Sequence, residues 1–288
     1  MGRIVISADS VSLPLEKATE YGLTLIPCPI AMDGKQYLDT EIDMDALYVR
    51  LDTKENLPKT STVNVEEILR FFEETSPGAD SILHISMSSV FSPQYEHTLK
   101  AREIAREKLP ATRIDVVDSR TIGIGVHFIA IEAARAAAAG KNLDEIMGLV
   151  NSILPRMTEM TARDTLFYYD KGGRIFEARS WAEAEEATSF RSVVEVDAST
   201  GGTVRPVARA RTAAQIIDRL VEITKERSSG RLNGAIGYTR GAADRAERLK
   251  EMLLAELQFD CLHLAEESAS VAVHNGRGCI DYAFCNEA

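Results

Sequence analysis

The chain of 288 residues is 45% hydrophobic and 27% charged, which is enough apolar mass for a substantial core and enough length for two domains. No long Pro, Gly, Gln or Ser tract interrupts it, and that composition excludes an extended disordered region. A formal net charge of −11 creates a field that repels polyphosphate and anionic membrane surfaces, so nucleic acid is set aside as a partner.

Arg3 to Ala8 is a short, β-branched apolar run that stops at Asp9-Ser10, the pattern of a buried parallel strand ending in a loop. Leu13 to Tyr21 reads as a helix closed by Gly22. Leu23 to Ala31 reads as a second strand, pushed toward a sheet edge by Pro27 and Pro29, which cannot donate to a ladder. Asp33-Gly34 signals a turn, and Met44 to Leu51 a short helix. Thr60-Ser61-Thr62-Val63 leads into Asn64, with Glu67 three residues on and apolar Ile68, Leu69, Phe71 and Phe72 behind it, so a helix starts there. Ser81 to Ile85 is the next strand. Ser92-Pro93 opens another helix: Ser suits the cap, and Pro suits the first helical position, where a missing N–H costs nothing. Ile114 to Val117 forms a fourth strand ending at Asp118-Ser119, and Val126 to Ala139 an alanine-rich helix closed by Gly140.

This alternation over residues 1–155 calls for a parallel α/β domain with helices on both faces. Over residues 156–288 the pattern changes. Arg191 to Val196, the Gly201-Gly202 turn and Val204 to Ala210 read as a hairpin. A helix follows over Thr212 to Arg227, a strand over Gly234 to Tyr238, a helix over Ala242 to Leu257, and two short strands around Cys261 to Leu264 and Cys279 to Phe284. That is an α+β domain with a mixed or antiparallel sheet. Parallel sheets bind ligands at the carboxyl ends of their strands, where the hydroxyl-rich segments of this chain lie.

Cys28, Cys261, Cys279 and Cys285 have no Cys-x-x-Cys spacing, which argues against a zinc site and a disulfide framework and for a reducing compartment. Asp9 interrupts the N-terminal apolar run before a signal-peptide core forms, and no apolar stretch reaches the ~18 residues of a membrane span. A cytoplasmic location is therefore expected. Arg205, Arg209, Arg211 and Arg219 form the densest basic patch and read as a solvated face.

Thr60, Ser61, Thr62 and Ser92 admit two readings. They are ordinary caps, or the two helix starts converge and their hydroxyls and free N–H groups seat a carboxylate or phosphate. Three or four hydrogen bonds of about 1.5–3 kcal/mol each offset the desolvation of such an anion. His274 follows Val271-Ala272-Val273 and precedes Asn275-Gly276-Arg277-Gly278, which sets it on a glycine-rich turn beside a strand end. There it is either solvated or, beside a carboxylate, a donor whose protonated form is favoured. Lys171-Gly172-Gly173-Arg174 lacks the order of a P-loop and reads as a surface turn. Gly123-x-Gly125 reads as an ordinary turn, because Phe128 stands where a dinucleotide fingerprint has its third glycine.

Five segments in order resemble the DegV family of bacterial fatty-acid-binding proteins: Asp9-Ser10, Thr60-Ser61-Thr62, Ser88-Ser89-Val90-Phe91-Ser92, Lys171-Gly172-Gly173-Arg174-Ile175 and His274-Asn275-Gly276-Arg277-Gly278. The resemblance implies a carrier, not an enzyme. It would hold one long-chain fatty acid of the palmitate, stearate or oleate class between the two domains and need no metal or other cofactor. A separate fatty acid kinase would phosphorylate the held carboxylate, with only transient membrane contact for lipid exchange. The resemblance assigns the carboxylate to Ser61 and Ser92 with Thr60, Thr62 and His274, and Arg174 to the kinase partner. Burying an alkyl chain gains about 0.8 kcal/mol per CH₂, so roughly 16 carbons give on the order of 10 kcal/mol before entropy losses.

Two positions depart from the family pattern. Pro93-Gln94-Tyr95 stands where the family has Gly-Thr-Tyr, which removes a backbone donor and a hydroxyl, and Arg277 replaces a proline, adding a cation near His274. Two rival readings use the same residues: an acyl hydrolase with Ser92 or Ser61 as nucleophile and His274 as base, and a sensor of a small anion or phosphometabolite. No Gly-x-Ser-x-Gly elbow surrounds either serine.

Overall fold

Apolar runs that stop at polar strand ends fold into three sheets, and helices with greasy faces cover them. In the computed structural model, which describes residues 2–11, 15–188 and 190–287, β1 (Ile4–Asp9) leads to α1 (Leu15–Glu20) and β2 (Leu23–Ile26). The expected helix start at Leu13 lies outside the described residues. The single strand expected over Leu23 to Ala31 is two strands in different sheets. After Ile26 the chain reaches Pro27, which offers no donor, and leaves the first sheet. β3 (Pro29–Met32) then pairs with β4 (Lys35–Leu38) through Asp33-Gly34, whose φ angles of 51° and 76° suit a tight hairpin.

α2 (Met44–Asp52) follows, capped by the Asp43 carboxylate, and β5 (Lys59–Thr60) completes the small sheet in the order β4-β3-β5. α3 (Val65–Thr75) begins with the expected reciprocal Asn64–Glu67 capping box. Next come β6 (Ser81–Ser86), α4 (Gln94–Lys108) and β7 (Arg113–Asp118). The main N-terminal sheet is parallel throughout, in the order β2-β1-β6-β7. β2 lies at its edge. On one face Ile68 and Phe72 of α3 and Ala101 and Ala105 of α4 pack against Val5, Ile82 and Ile114.

α5 (Gly123–Ala138) and α6 (Leu143–Ile153) cover the other face. α5 starts at Gly123, not at Val126, so the glycine pair expected to be a turn forms its first helical turn. The cause is a close approach: a Cβ on Gly125 would stand 2.3 Å from Thr121 Oγ1 and 2.8 Å from Glu159 Oε2. Every residue from Gly123 to Ile131 is buried. A helix without a polar side needs a second apolar surface, and the remaining strands supply it.

Those elements are β8 (Met157–Arg163), α7 (Phe167–Lys171), α8 (Arg179–Thr188), β9 (Arg191–Glu195), β10 (Arg205–Ala210), α9 (Ala213–Arg227), β11 (Arg231–Tyr238), α10 (Ala243–Glu256), β12 (Gln258–Glu266), α11 (Ala269–Asn275) and β13 (Ile280–Asn286). The six-stranded sheet runs β10-β9-β8-β13-β11-β12, with only the β11–β12 pair parallel. The expected hairpin is β9–β10. α9 and α10 pack with Met160, Ile236, Tyr282 and Phe284 in one cluster, while Ala235, Ala283 and Cys285 join the cluster of α5. The fold is therefore α/β, a parallel sheet built from residues 4–118 followed by a mixed sheet built from residues 157–286. Among the described residues no helix is long and apolar enough to cross a membrane.

The tight fit at Gly125 yields a test. Gly125→Ala is expected to lower unfolding stability by about 1–3 kcal/mol, read from the midpoint of chemical denaturation. An unchanged midpoint would show that α5 has room to shift.

Candidate functional site

The carboxyl ends of β1 and β6 open onto a cavity whose wall includes Asp9, Met87, Phe91 and Ser92. Thr60, Ser61 and Thr62 form its hydroxyl-rich side together with Ser92, and Val11, Ile26, Val63, Ile122, Tyr169 and Val271 make it apolar elsewhere. The opposite half of the chain contributes Arg174, His274, Asn275 and Asp281. Every residue expected to form a head-group site therefore lines this one cavity.

Their bonds are specific. Thr60 Oγ1 and His274 Nε2 are 2.8 Å apart, and Thr62 Oγ1 and Ser92 Oγ 3.5 Å apart. Ser92 Oγ accepts the Gln94 N–H at 3.2 Å, but the cap position expected of Ser92 is taken by Pro93, at φ −64°, so α4 opens at Gln94, one residue later than expected. Ser61 is exposed at the cavity edge, and its N–H is spent on the Pro29 carbonyl at 2.9 Å. The two helix starts do not both reach the cavity. The α3 N-terminus is closed by its own Asn64–Glu67 box, and residues 64–67 are not on the wall, which leaves the start of α4 as the helix end facing it.

His274 is not on a turn. Val271-Ala272-Val273 belongs to α11, capped by Ser268, and His274 occupies its last turn. Burial, with the Arg174 and Arg163 cations nearby, pushes the imidazole down to about 3, so it is neutral at physiological pH. The Lys171-Gly172-Gly173-Arg174 segment is not a free surface turn either. Gly172 packs against His274, where a Cβ would stand 3.1 Å from Nδ1, and Arg174 is half-buried on the cavity wall with Nη1 donating to Gly172 O at 2.6 Å. The cation expected near His274 from Arg277 is used elsewhere: its Nε donates to Asp52 at 2.9 Å, its guanidinium lies over Tyr48, and it is not part of the wall.

Arg163, and the His84 and Ser7 partners of Asp9, gave no local signal in the sequence. Arg163 on β8 is 1% exposed, stacks 3.3 Å from the Tyr169 ring centroid, and donates to His274 O at 3.3 Å and Asn275 Oδ1 at 2.6 Å. It thereby satisfies the C-terminal end of α11. Asp9 accepts from Ser86 Oγ and Met87 N, both at 2.9 Å, and meets His84 Nε2 at 3.2 Å, while Ser7 Oγ lies 3.0 Å from His84 Nδ1. This has the composition of a Ser-His-Asp relay, but Ser7 is fully buried and it is the carboxylate that faces the cavity. It orients Asp9 and offers no accessible nucleophile.

Asp39 ties distant segments together just behind the wall. It accepts from Ser10 Oγ at 2.6 Å, Ser270 Oγ at 2.5 Å and Cys28 N at 2.9 Å. Burial nevertheless pushes its carboxyl from 3.8 up to about 6. The folded protein thus holds this proton more tightly than the unfolded chain, so the contribution is complete below pH 3.8 and is lost as pH rises through about 6. The stability of the native protein relative to Asp39→Asn is therefore expected to fall by about 2 kcal/mol between pH 4 and pH 7, measured by urea unfolding at each pH. A difference that stays flat would show Asp39 ionised in both states.

A family model described as "Uncharacterised protein, DegV family" matches residues 3–287. A DegV domain-containing protein of Clostridium perfringens is 28% identical over 291 residues, covering 99% of each chain. Among solved structures, the fatty-acid-binding DegV family protein of Thermus thermophilus is similar at a TM-score of 0.86 and 22% identity, over 98% of this chain and 99% of that one. A DegV family protein of Eubacterium eligens loaded with heptadecanoic acid also reaches 0.86, at 16% identity over 99% and 100%. With the family model spanning nearly every residue, the chain belongs to the DegV family.

Proposed function

We propose that this protein binds one long-chain fatty acid, with the carboxylate at the Thr60–Thr62, Ser92 and His274 end of the cavity and the tail along its apolar flank. One observation carries the reading: a single cavity at the ends of parallel strands combines a cluster of hydroxyls with a run of apolar side chains. The Thermus and Eubacterium proteins, which share this fold, bind or carry fatty acids. Ser61, at the cavity edge, is assigned to the same head-group set. The boundary near residue 155 divides the two lobes that would close on the lipid.

The protein acts as a carrier in the cytoplasm, exchanging lipid through brief membrane contact, and a separate fatty acid kinase phosphorylates the bound carboxylate. Arg174 is assigned to that kinase, and its half-buried position lets it also bear on a phosphorylated head group. Hydrolysis fits less well, because His274 Nε2 meets Thr60, while Ser92 Oγ is taken up by the Gln94 N–H and Thr62. A neutral, half-buried imidazole suits a carrier: it orients an anion without offering a proton until the anion itself raises its pKa.

Native mass spectrometry of the purified protein is expected to show the added mass of one long-chain acid, and Ser92→Ala to weaken retention about 10- to 100-fold. A bound phosphate ester would indicate the sensor instead. Short-ester turnover abolished by both Ser92→Ala and His274→Ala would indicate the hydrolase. In ligand-free protein, the His274 ring is expected not to titrate between pH 8 and pH 5 by NMR, and loading with a long-chain acid is expected to raise its pKa. A free-state midpoint near 6.5 would remove burial as the controlling influence.

A further inference from the structure

We propose that Gln94 supplies a head-group donor of its own, its carboxamide Nε2 hydrogen-bonding the ligand carboxylate beside Ser92; this rests on the fatty-acid reading above. Gln94 is the first residue of α4, lies on the cavity wall, and is 5% exposed. Its two amide atoms are distinguishable because one has a fixed partner. Oε1 accepts the Val63 N–H at 3.0 Å, which requires the other atom to be the nitrogen. Nε2 is buried and has no hydrogen-bond partner among the described residues. A buried N–H₂ left unpaired is costly, and the unpaired state is relieved by an acceptor entering the cavity.

The surroundings hold the donor still. Val63 is gripped from both sides by the first turn of α4: its N–H by Gln94 and its carbonyl by His97 Nδ1 at 2.9 Å. Those two side chains are three positions apart, so they project from the same face of the helix. The clamp ties the Thr60–Val63 segment to α4 and leaves the Gln94 side chain unable to turn without releasing Val63. The same residue's backbone N–H engages Ser92 Oγ. Pro93 contributes no N–H at this helix start, and the Gln94 amide adds a donor where the backbone lacks one. Because Oε1 is occupied, the position presents hydrogen only, which favours a head that accepts, such as an ionised carboxylate.

Gln94→Glu tests the donor apart from the clamp, since a carboxylate oxygen still accepts from Val63 while the other oxygen now opposes the ligand. Asp9, Asp281, His274, Arg174, Cys28 and Tyr169 line the same cavity and His97 stands on the same helix face. Their titration and that of the fatty acid are common to both proteins, so the quantity to read is the ratio of variant to native Kd for a long-chain acid. That ratio is expected to be about 100 at pH 8 and to shrink severalfold at pH 5.5, as the introduced carboxylate gains a proton and becomes a donor again. Gln94→Met, which keeps length but no donor, is expected to weaken binding about 10-fold at both pH values and serves if the Glu variant does not fold. Native protein that binds the acid alongside variants within twofold of it would overturn the Gln94 assignment alone. Native protein that binds no long-chain acid would overturn the fatty-acid reading and this assignment with it.

Discussion

The architecture depends on one helix that has nowhere polar to go. α5 is buried from Gly123 to Ile131 and shares a cluster with β1 and β6 on one side and with Ala235, Ala283 and Cys285 of the six-stranded sheet on the other. Its hydrophobic surface cannot be satisfied by one sheet, so the two sheets are held together across it. The start of the helix is held equally closely, with the Ile122 N–H on Glu159 Oε2 at 3.2 Å and Gly125 against the same carboxylate. Burial, reinforced by the Asp281 charge, raises the Glu159 carboxyl well above the usual range. Ile122 and Gly123 also line the cavity, so the seam between the sheets and the floor of the site are one structure.

From that seam the site follows by geometry. The ends of β1 and β6 bring Asp9, Met87 and the Ser92 helix start to one side, and α11 brings His274 to the other. Neither side is free to drift. Arg163 holds the carbonyl end of α11, Asp39 gathers Ser10, Cys28 and Ser270, and Gln94 with His97 grips Val63. The polar groups facing the cavity are thus backed by a second layer of hydrogen bonds, the arrangement that fixes side-chain direction before any ligand arrives.

Features written in adjacent residues were legible in the sequence. The Asn64–Glu67 box, the Gly201-Gly202 hairpin and the strand ends at Asp9 and Asp118 are local signals and appear where the spacing puts them, and the Ser92-Pro93 helix entry lies one residue further on. Features decided by distant packing were not. Val271-Ala272-Val273 is β-branched and reads as strand, yet Ser268 caps it and its burial against α2 and α7 makes it helix. Arg277 sits beside His274 in sequence, but Asp52 and Tyr48 draw its charge away. Arg163 could not be foreseen as a buried cation, because its hydrogen-bond partners are more than a hundred residues further along the chain.

The Thr60–His274 bond joins residues 214 positions apart, one from each half of the chain. In the proposed carrier, an arriving head group competes for these same two partners, so filling the cavity exchanges a direct latch between the lobes for one that runs through the cargo. Loaded and empty molecules would then differ in how firmly the lobes are coupled even where their outlines coincide.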